Sequence, residues 1–223
     1  MKNKILSIAL ILVLSASFAM AQEKSKMSFG ILGGVNFQNL NGKDFSGDKL
    51  DNDLLTGFNA GVNVQIPIVP QFYFQPGLMF ATKGAKSTYG SITSTTKLNY
   101  IEMPLNLVYK AVLGKGSFML GFGPYLAYGI GGNVKTEGGS ISLDQDIKFQ
   151  SVVEAGDPLL VPFFKAFDAG GNIFAGYEMA NGIFLQLDTQ FGMININPEY
   201  KSLPNDKSST KNTGYGLSLG YRF

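Results

Sequence analysis

The sequence predicts an all-β fold, an eight-stranded antiparallel up-and-down transmembrane β-barrel. Three observations lead there. The 223-residue chain opens on an export-type leader; the remainder is poor in charge and rich in Gly and aromatic side chains; and apolar residues fall on every second position in eight separate stretches.

The leader occupies residues 1–21. Lys2 and Lys4 precede an apolar run from Ile5 to Phe18, and Ala19-Met20-Ala21 then stands before Gln22. Positive, apolar and small segments in that order form a cleavable secretory signal, and the run is shorter than the roughly 20 residues a spanning helix needs. Cleavage after Ala21 leaves one barrel domain over residues 22–223. Removing Lys2 and Lys4 from the 18 basic side chains leaves them equal in number to the 16 acidic ones. The slight basic balance therefore belongs to the leader and gives no reason to expect nucleic acid as a partner. Charged residues are 15% of the chain, against about 25% in ordinary soluble domains. With no Cys there is neither a lipoprotein anchor nor a disulfide framework.

The first strand runs from about Met27 to Phe37, with Phe29, Ile31, Val35 and Phe37 on one face and Gly30, Leu32, Gly34 and Asn36 on the other. Gln38 to Leu55, with Asn41-Gly42 and the acids Asp44, Asp48, Asp51 and Asp53, has loop chemistry; its spacing lacks the ordered ligands of an EF-hand. The second strand, Thr56 to Pro67, sets Phe58, Ala60, Val62, Val64 and Ile66 against Gly57, Asn59, Gly61, Asn63 and Gln65, and Pro67 to Pro70 makes a tight connection. The third, Gln71 to Lys83, alternates Phe72, Phe74, Leu78 and Phe80 with Tyr73, Gln75, Gly77 and Met79. Pro76 lacks a ladder donor, so a bulge or break is expected there.

A polar connection is expected from Gly84 to Thr96, then a fourth strand from Lys97 to Lys110 with Ile101, Met103, Leu105, Leu107 and Tyr109 on its apolar face. The fifth, Ser117 to about Gly129, alternates Phe118, Leu120, Phe122, Leu126 and Tyr128 with Met119, Gly121, Gly123, Tyr125 and Ala127. The longest connection, Ile130 to Lys165, contains apolar Val152-Val153 and Leu159 to Phe164, which a solvated coil would not keep exposed. These pieces are expected to prolong the fifth and sixth strands beyond the membrane, with a binding surface as the alternative. The sixth strand, Ala166 to Met179, turns through Asn181-Gly182 into the seventh, Ile183 to Ile194. After Asn195 to Asn212 the eighth, Thr213 to Phe223, places Tyr215, Leu217, Leu219, Tyr221 and Phe223 opposite Gly214, Gly216, Ser218, Gly220 and Arg222. Its edge must be paired, and the first strand is the economical partner, closing the barrel.

Connections thus alternate long and short, as in outer-membrane barrels with short periplasmic turns and long extracellular loops, and both termini are expected on the periplasmic side. Alternation alone does not say which face meets lipid. Composition does: the second face is mostly Gly, Ser, Asn and Gln, suited to a crowded axis, while Phe37, Tyr109, Tyr128, Tyr177, Tyr221 and Phe223 recur near strand ends, where aromatic belts lie. Lys83, Glu102, Lys110, Asp168, Glu178, Asp188 and Arg222 then point inward as a structural charge network, since a lone buried ion is costly. Arg222, the only Arg, is expected to pair with an acid such as Glu178 near the periplasmic end.

The segments Phe72-Tyr73-Phe74-Gln75-Pro76-Gly77-Leu78, Tyr100-Ile101-Glu102-Met103-Pro104-Leu105, Gly123-Pro124-Tyr125-Leu126 and Leu219-Gly220-Tyr221-Arg222-Phe223 resemble the PorT-like outer membrane β-barrel family of Gram-negative bacteria. The resemblance covers essentially the whole mature chain. It implies a barrel seated among outer membrane lipids and inserted by the assembly machinery that reads the terminal strand. The family's namesake takes part in a secretion apparatus.

Without His or Cys the chain has no Ser-His dyad, no thiol nucleophile and no usual zinc site. No catalytic residue, cofactor or metal ligand is expected, and Gly131-Gly132 and Gly138-Gly139 match no phosphate-binding pattern. The sequence therefore predicts a non-enzymatic barrel that anchors long extracellular loops for contact with a partner or surface, the partner itself being unspecified. Passage of a small solute and an accessory part in a secretion system are the alternatives.

Overall fold

The computed structural model describes residues 26–158, 160–203 and 205–223. The leader lies outside the described residues. Thirteen strands run in order: β1 (Ser28–Lys43), β2 (Leu55–Val69), β3 (Phe72–Tyr89), β4 (Ile92–Leu113), β5 (Gly116–Gly138), β6 (Ile141–Asp146), β7 (Lys148–Phe149), β8 (Val152–Val153), β9 (Phe163–Phe164), β10 (Phe167–Glu178), β11 (Ile183–Gly192), β12 (Glu199–Tyr200) and β13 (Ser209–Arg222).

Eight of them form a closed antiparallel ring in the order β1-β2-β3-β4-β5-β10-β11-β13. The last joins the first along its full length, from Gly30↔Arg222 to Lys43↔Ser209, and Phe223 N–H donates to the Phe29 carbonyl at 2.8 Å. Closure leaves the ring no free edge. Both ends of the ring-forming chain lie at the rim that carries the short turns, the turn end; the long connections lie at the other, the loop end.

The alternation read from the sequence sets the faces. Phe58, Val62, Leu78, Phe122, Ile173, Leu187 and Leu219 are exposed outward, whereas Asn36, Asn63, Gln75, Asn106, Asn172 and Ser218 are buried inward. Ring pairs Phe72–Tyr109 and Tyr221–Phe223 stand near strand ends, centroids 5.1 and 4.9 Å apart, whereas Phe37–Tyr215, at 5.3 Å, lies inside its strands because β1 runs on to Lys43 and β13 begins at Ser209. Opposite Pro76 the ladder to β2 skips, and the register shift itself lies at Pro67 and Val69.

Two expectations need correction. Gly84 to Thr96 is not a loose connection: β3 and β4 stay paired to Tyr89↔Ile92 and turn on Gly90-Ser91. β5 likewise runs on to Gly138 and turns on Gly139-Ser140 into β6. In both turns φ is positive at the first central residue, +59° at Gly90 and +57° at Gly139, which suits a II′ hairpin and matches strand twist. The upper parts of β3, β4 and β5, with β6, therefore form an arm rising past the apolar belt, its faces rich in Ser, Thr and Lys.

The second correction concerns the apolar pieces between Ile130 and Lys165. Val152-Val153 and Phe163-Phe164 do not prolong ring strands. They form short parallel pairings, β8 with β12 and β7 with β9, and fold the two longest connections over the loop end. Val153 and Phe163 are buried. Burying them there removes from water a surface that would otherwise have to be covered.

Candidate functional site: the barrel lumen

The interior is built by small residues on one strand making room for large ones on the next. Phe174 occupies the space a side chain on Gly121 would fill, Phe184 that over Gly220, and Tyr125 that over Gly170. Tapered small-to-large filling is how a narrow barrel packs its axis. At the turn end Val108, Met119, Phe174 and Phe184 form one buried apolar cluster, with Leu32 and Tyr73 against it. At the loop end Leu98, Tyr100, Tyr125 and Ala127 meet Ile147 and Ile196 from the connections, with Phe149 and Phe164 packed alongside. This second cluster is a cap.

Seven charged side chains sit in this interior, and the structure sorts them into two groups and a remainder. Beneath the cap, Lys83 Nζ lies 2.7 Å from Glu102 Oε1 and 3.4 Å from Asp168 Oδ2, all three buried. Asp168 Oδ2 also accepts from the Tyr125 hydroxyl at 3.1 Å and from Asn212 Nδ2 at 2.9 Å. Lys83 stands 4.2 Å from the Tyr125 ring centre, where the ring face adds to the stabilisation of the ammonium. β3, β4 and β10 place the three charges, and their meeting across 85 residues of sequence depends on ring closure.

Near the turn end Glu178 bridges two cations. Its Oε2 is 2.8 Å from Arg222 Nε and its Oε1 is 2.7 Å from Lys110 Nζ. Arg222 also donates to Asn63 Oδ1 at 3.0 Å, and Lys110 to Gln65 Oε1 at 3.2 Å. The guanidinium lies 5.2 Å from the Phe184 ring centre. A planar fork with several donors can be satisfied this fully only by acceptors on several strands.

Asp188 belongs to neither group. It lines a central cavity of about 70 Å³ with Asn36, Gln38, Asn106 and Gln190, among others. Gln190 Nε2 donates to Glu102 Oε2 at 3.0 Å, linking this level to the upper group.

Chemically, the lumen offers fixed ion pairs and amide groups. Among the described residues no three His, Cys, Asp or Glu converge as a metal-binding group. The residues that sequence reasoning did not single out are the neutral partners Tyr125, Asn212, Asn63, Gln65 and Gln190. Tyr125, Asn63, Gln65 and Gln190 were on the inner face by alternation, whereas Asn212 was read as connection and joins the interior because β13 begins at Ser209; which charge each serves depends on inter-strand register.

Outside the belt, Lys201 lies 2.7 Å from Glu154, so the two folded connections are also joined by an exposed ion pair. Hydrogen bonding to Glu154 and its charge hold the Lys201 ammonium above the ordinary lysine range.

A family model described as outer membrane protein beta-barrel domain matches residues 20–197. None of the curated proteins compared matches the chain in sequence. Among solved structures, the chain is similar to Ail, the attachment invasion locus protein of Yersinia pestis, in complex with the heparin analogue sucrose octasulfate, at 14% identity and TM-score 0.42 over 89% of this chain and 99% of that one. It is similar to Neisserial surface protein A at 13% identity and TM-score 0.40, over 89% and 98%. OprG from Pseudomonas aeruginosa is similar at 11% and 0.44, over 88% and 95%.

Proposed function

This chain belongs to the outer membrane protein beta-barrel domain family, and from that premise we propose that it is a non-enzymatic anchor whose loop end faces the outside of the cell and binds a partner or surface there. Residues 1–21 serve as the cleaved export signal, both ends of the barrel domain face the periplasm, and the PorT-like segments make it a PorT-like member of the family. The seven inward charges act in packing, not as a relay.

The observation that carries this reading is the filled axis. An apolar cap lies at one end and the Lys110–Glu178–Arg222 group at the other, and the space between them is about 70 Å³. That holds a few waters and no continuous column. The arm built from β3 to β6 supports the binding half of the reading, because ordered backbone well past the apolar belt has no use in a simple spanning barrel.

Single-channel recording in planar bilayers tests the anchor reading. The expected result is a silent membrane; steady openings that persist after removal of residues 139–166 overturn it in favour of solute passage. Protease treatment of intact cells tests the orientation, with cleavage expected in the connections at 44–54 and 139–166 and none in the turn at 179–182.

A further inference from the structure

The central cavity has a surplus of negative charge. Glu102 and Asp168 share one cation, Lys83, so from the cavity to the cap the lumen holds a single ammonium and three carboxylates, counting Asp188. Among the described residues no Lys or Arg stands within ion-pair distance of Asp188. An uncompensated carboxylate in so crowded an interior is costly, and a bound cation is one remedy.

The neighbours of Asp188 are suited to supply the rest of a coordination shell. Asn36 Oδ1, Gln38 Oε1 and Asn106 Oδ1 are buried oxygens that accept no hydrogen bond from another protein group. These residues are 3%, 4% and 5% exposed, and all three line the same cavity as Asp188. For Asn36 the amide orientation is committed, since its Nδ2 donates to the Phe58 carbonyl at 3.4 Å. A buried acceptor needs a partner, and amide oxygens lining one cavity with a carboxylate suit a donor or a cation.

Backbone register brings these groups level. Asn36 and Asp188 both pair with Gly216, and Gln38 and Gln190 both pair with Gly214. A side chain at Gly216 would stand 3.0 Å from the Asp188 carboxylate, and one at Gly214 would meet Gln38 at 2.6 Å. The two glycines of β13 thus open the interior between β1 and β11, with Asn106 contributed from β4. Carboxylate and amide oxygens select hard cations, and the one carboxylate without a cationic partner beside neutral amides fits a weakly charged site completed by water.

We propose that the central cavity binds one small hard cation, Ca²⁺ or Na⁺, on the Asp188 carboxylate and the amide oxygens of Asn36, Gln38 and Asn106. The ion cross-braces β1, β4 and β11 and offsets the charge surplus under the cap.

The test uses the full barrel domain refolded in detergent, stripped with EDTA and held in N-methylglucamine buffer at constant ionic strength. Adding CaCl₂ or NaCl is expected to raise the thermal midpoint saturably, by about 2–4 °C or more for one of the two ions. Asp188→Asn is expected to raise the midpoint in cation-free buffer and to abolish the response. Asp144→Asn with Asp146→Asn, on the projecting arm, should leave the response intact. A midpoint indifferent to both ions, or an Asp188→Asn protein that responds like the parent, overturns the proposal. Should Asp188→Asn not fold, Asn106→Leu decides in its place: loss of the cation response supports the site, an unchanged response rejects it.

Discussion

The ring of Phe149 lies over the backbone of Gly129, in the space where any side chain at that position would stand. One residue belongs to a ring strand near the loop end and the other to the connection folded across it, so this contact is the seam of the cap. Replacing Gly129 by Ala is expected to push the ring out and make protease cut residues 139–166 several-fold faster than in the parent while the barrel stays closed. Phe149→Ala should give the same protease phenotype at a cost of about 1–3 kcal/mol, below the value for a fully buried Phe because this ring is only partly buried.

Among the described residues Lys83 is the one cation paired with the two buried carboxylates Glu102 and Asp168. Lys83→Met is expected to destabilise the barrel by about 3–5 kcal/mol, because it strands both charges. Adding Glu102→Gln and Asp168→Asn should recover much of that loss. Urea unfolding in detergent micelles measures both variants, and a triple variant no more stable than the single one would contradict the assignment.

Glu178 holds Arg222 and Lys110 together. Glu178→Gln is expected to cost more than Lys110→Met, since it removes the partner of two cations and Lys110→Met removes one contact of a carboxylate that keeps Arg222. The difference should be read in unfolding midpoints.

Leu187 faces outward between Ala175 and Leu217. Leu187→Arg is expected to cost about 2–4 kcal/mol in a bilayer, as a cation near mid-membrane does. Thr95→Lys, on the projecting arm, should cost nothing measurable. Equal effects from the two would place the apolar belt wrongly.

The Lys201–Glu154 pair is exposed on both sides. Glu154→Gln should leave the unfolding midpoint unchanged, as for most surface pairs. Because Glu154 raises the lysine value, whatever the pair contributes is complete below the unfolded lysine range and lost as pH rises through the raised one. The effect of Glu154→Gln on barrel stability should therefore be the same at pH 6 as at pH 8.

The eight ring strands were legible because lipid outside and packed side chains inside impose a period of two, and a period needs no knowledge of neighbours. Phe58, Val62 and Leu187 announced the outer face, and Lys83, Glu102 and Arg222 fell on the inner one by the same count. The arm was hidden: Gly84 to Thr96 and Gly131 to Gly138 are polar on both faces, so no alternation marked them, and Gly90-Ser91 and Gly139-Ser140 looked like ordinary loop sequence.

Composition and period by themselves determined a closed barrel, its lipid face and the roster of inward residues, since these depend on each residue's own polarity and position along a strand. Only the tertiary structure decided that Lys83 meets Glu102 and Asp168, that Arg222 and Lys110 share Glu178, and that Phe149 and Ile147 seal the loop end. Those contacts join strands and connections distant in sequence, and they arise from the register in which the strands close, which no single stretch of chain carries.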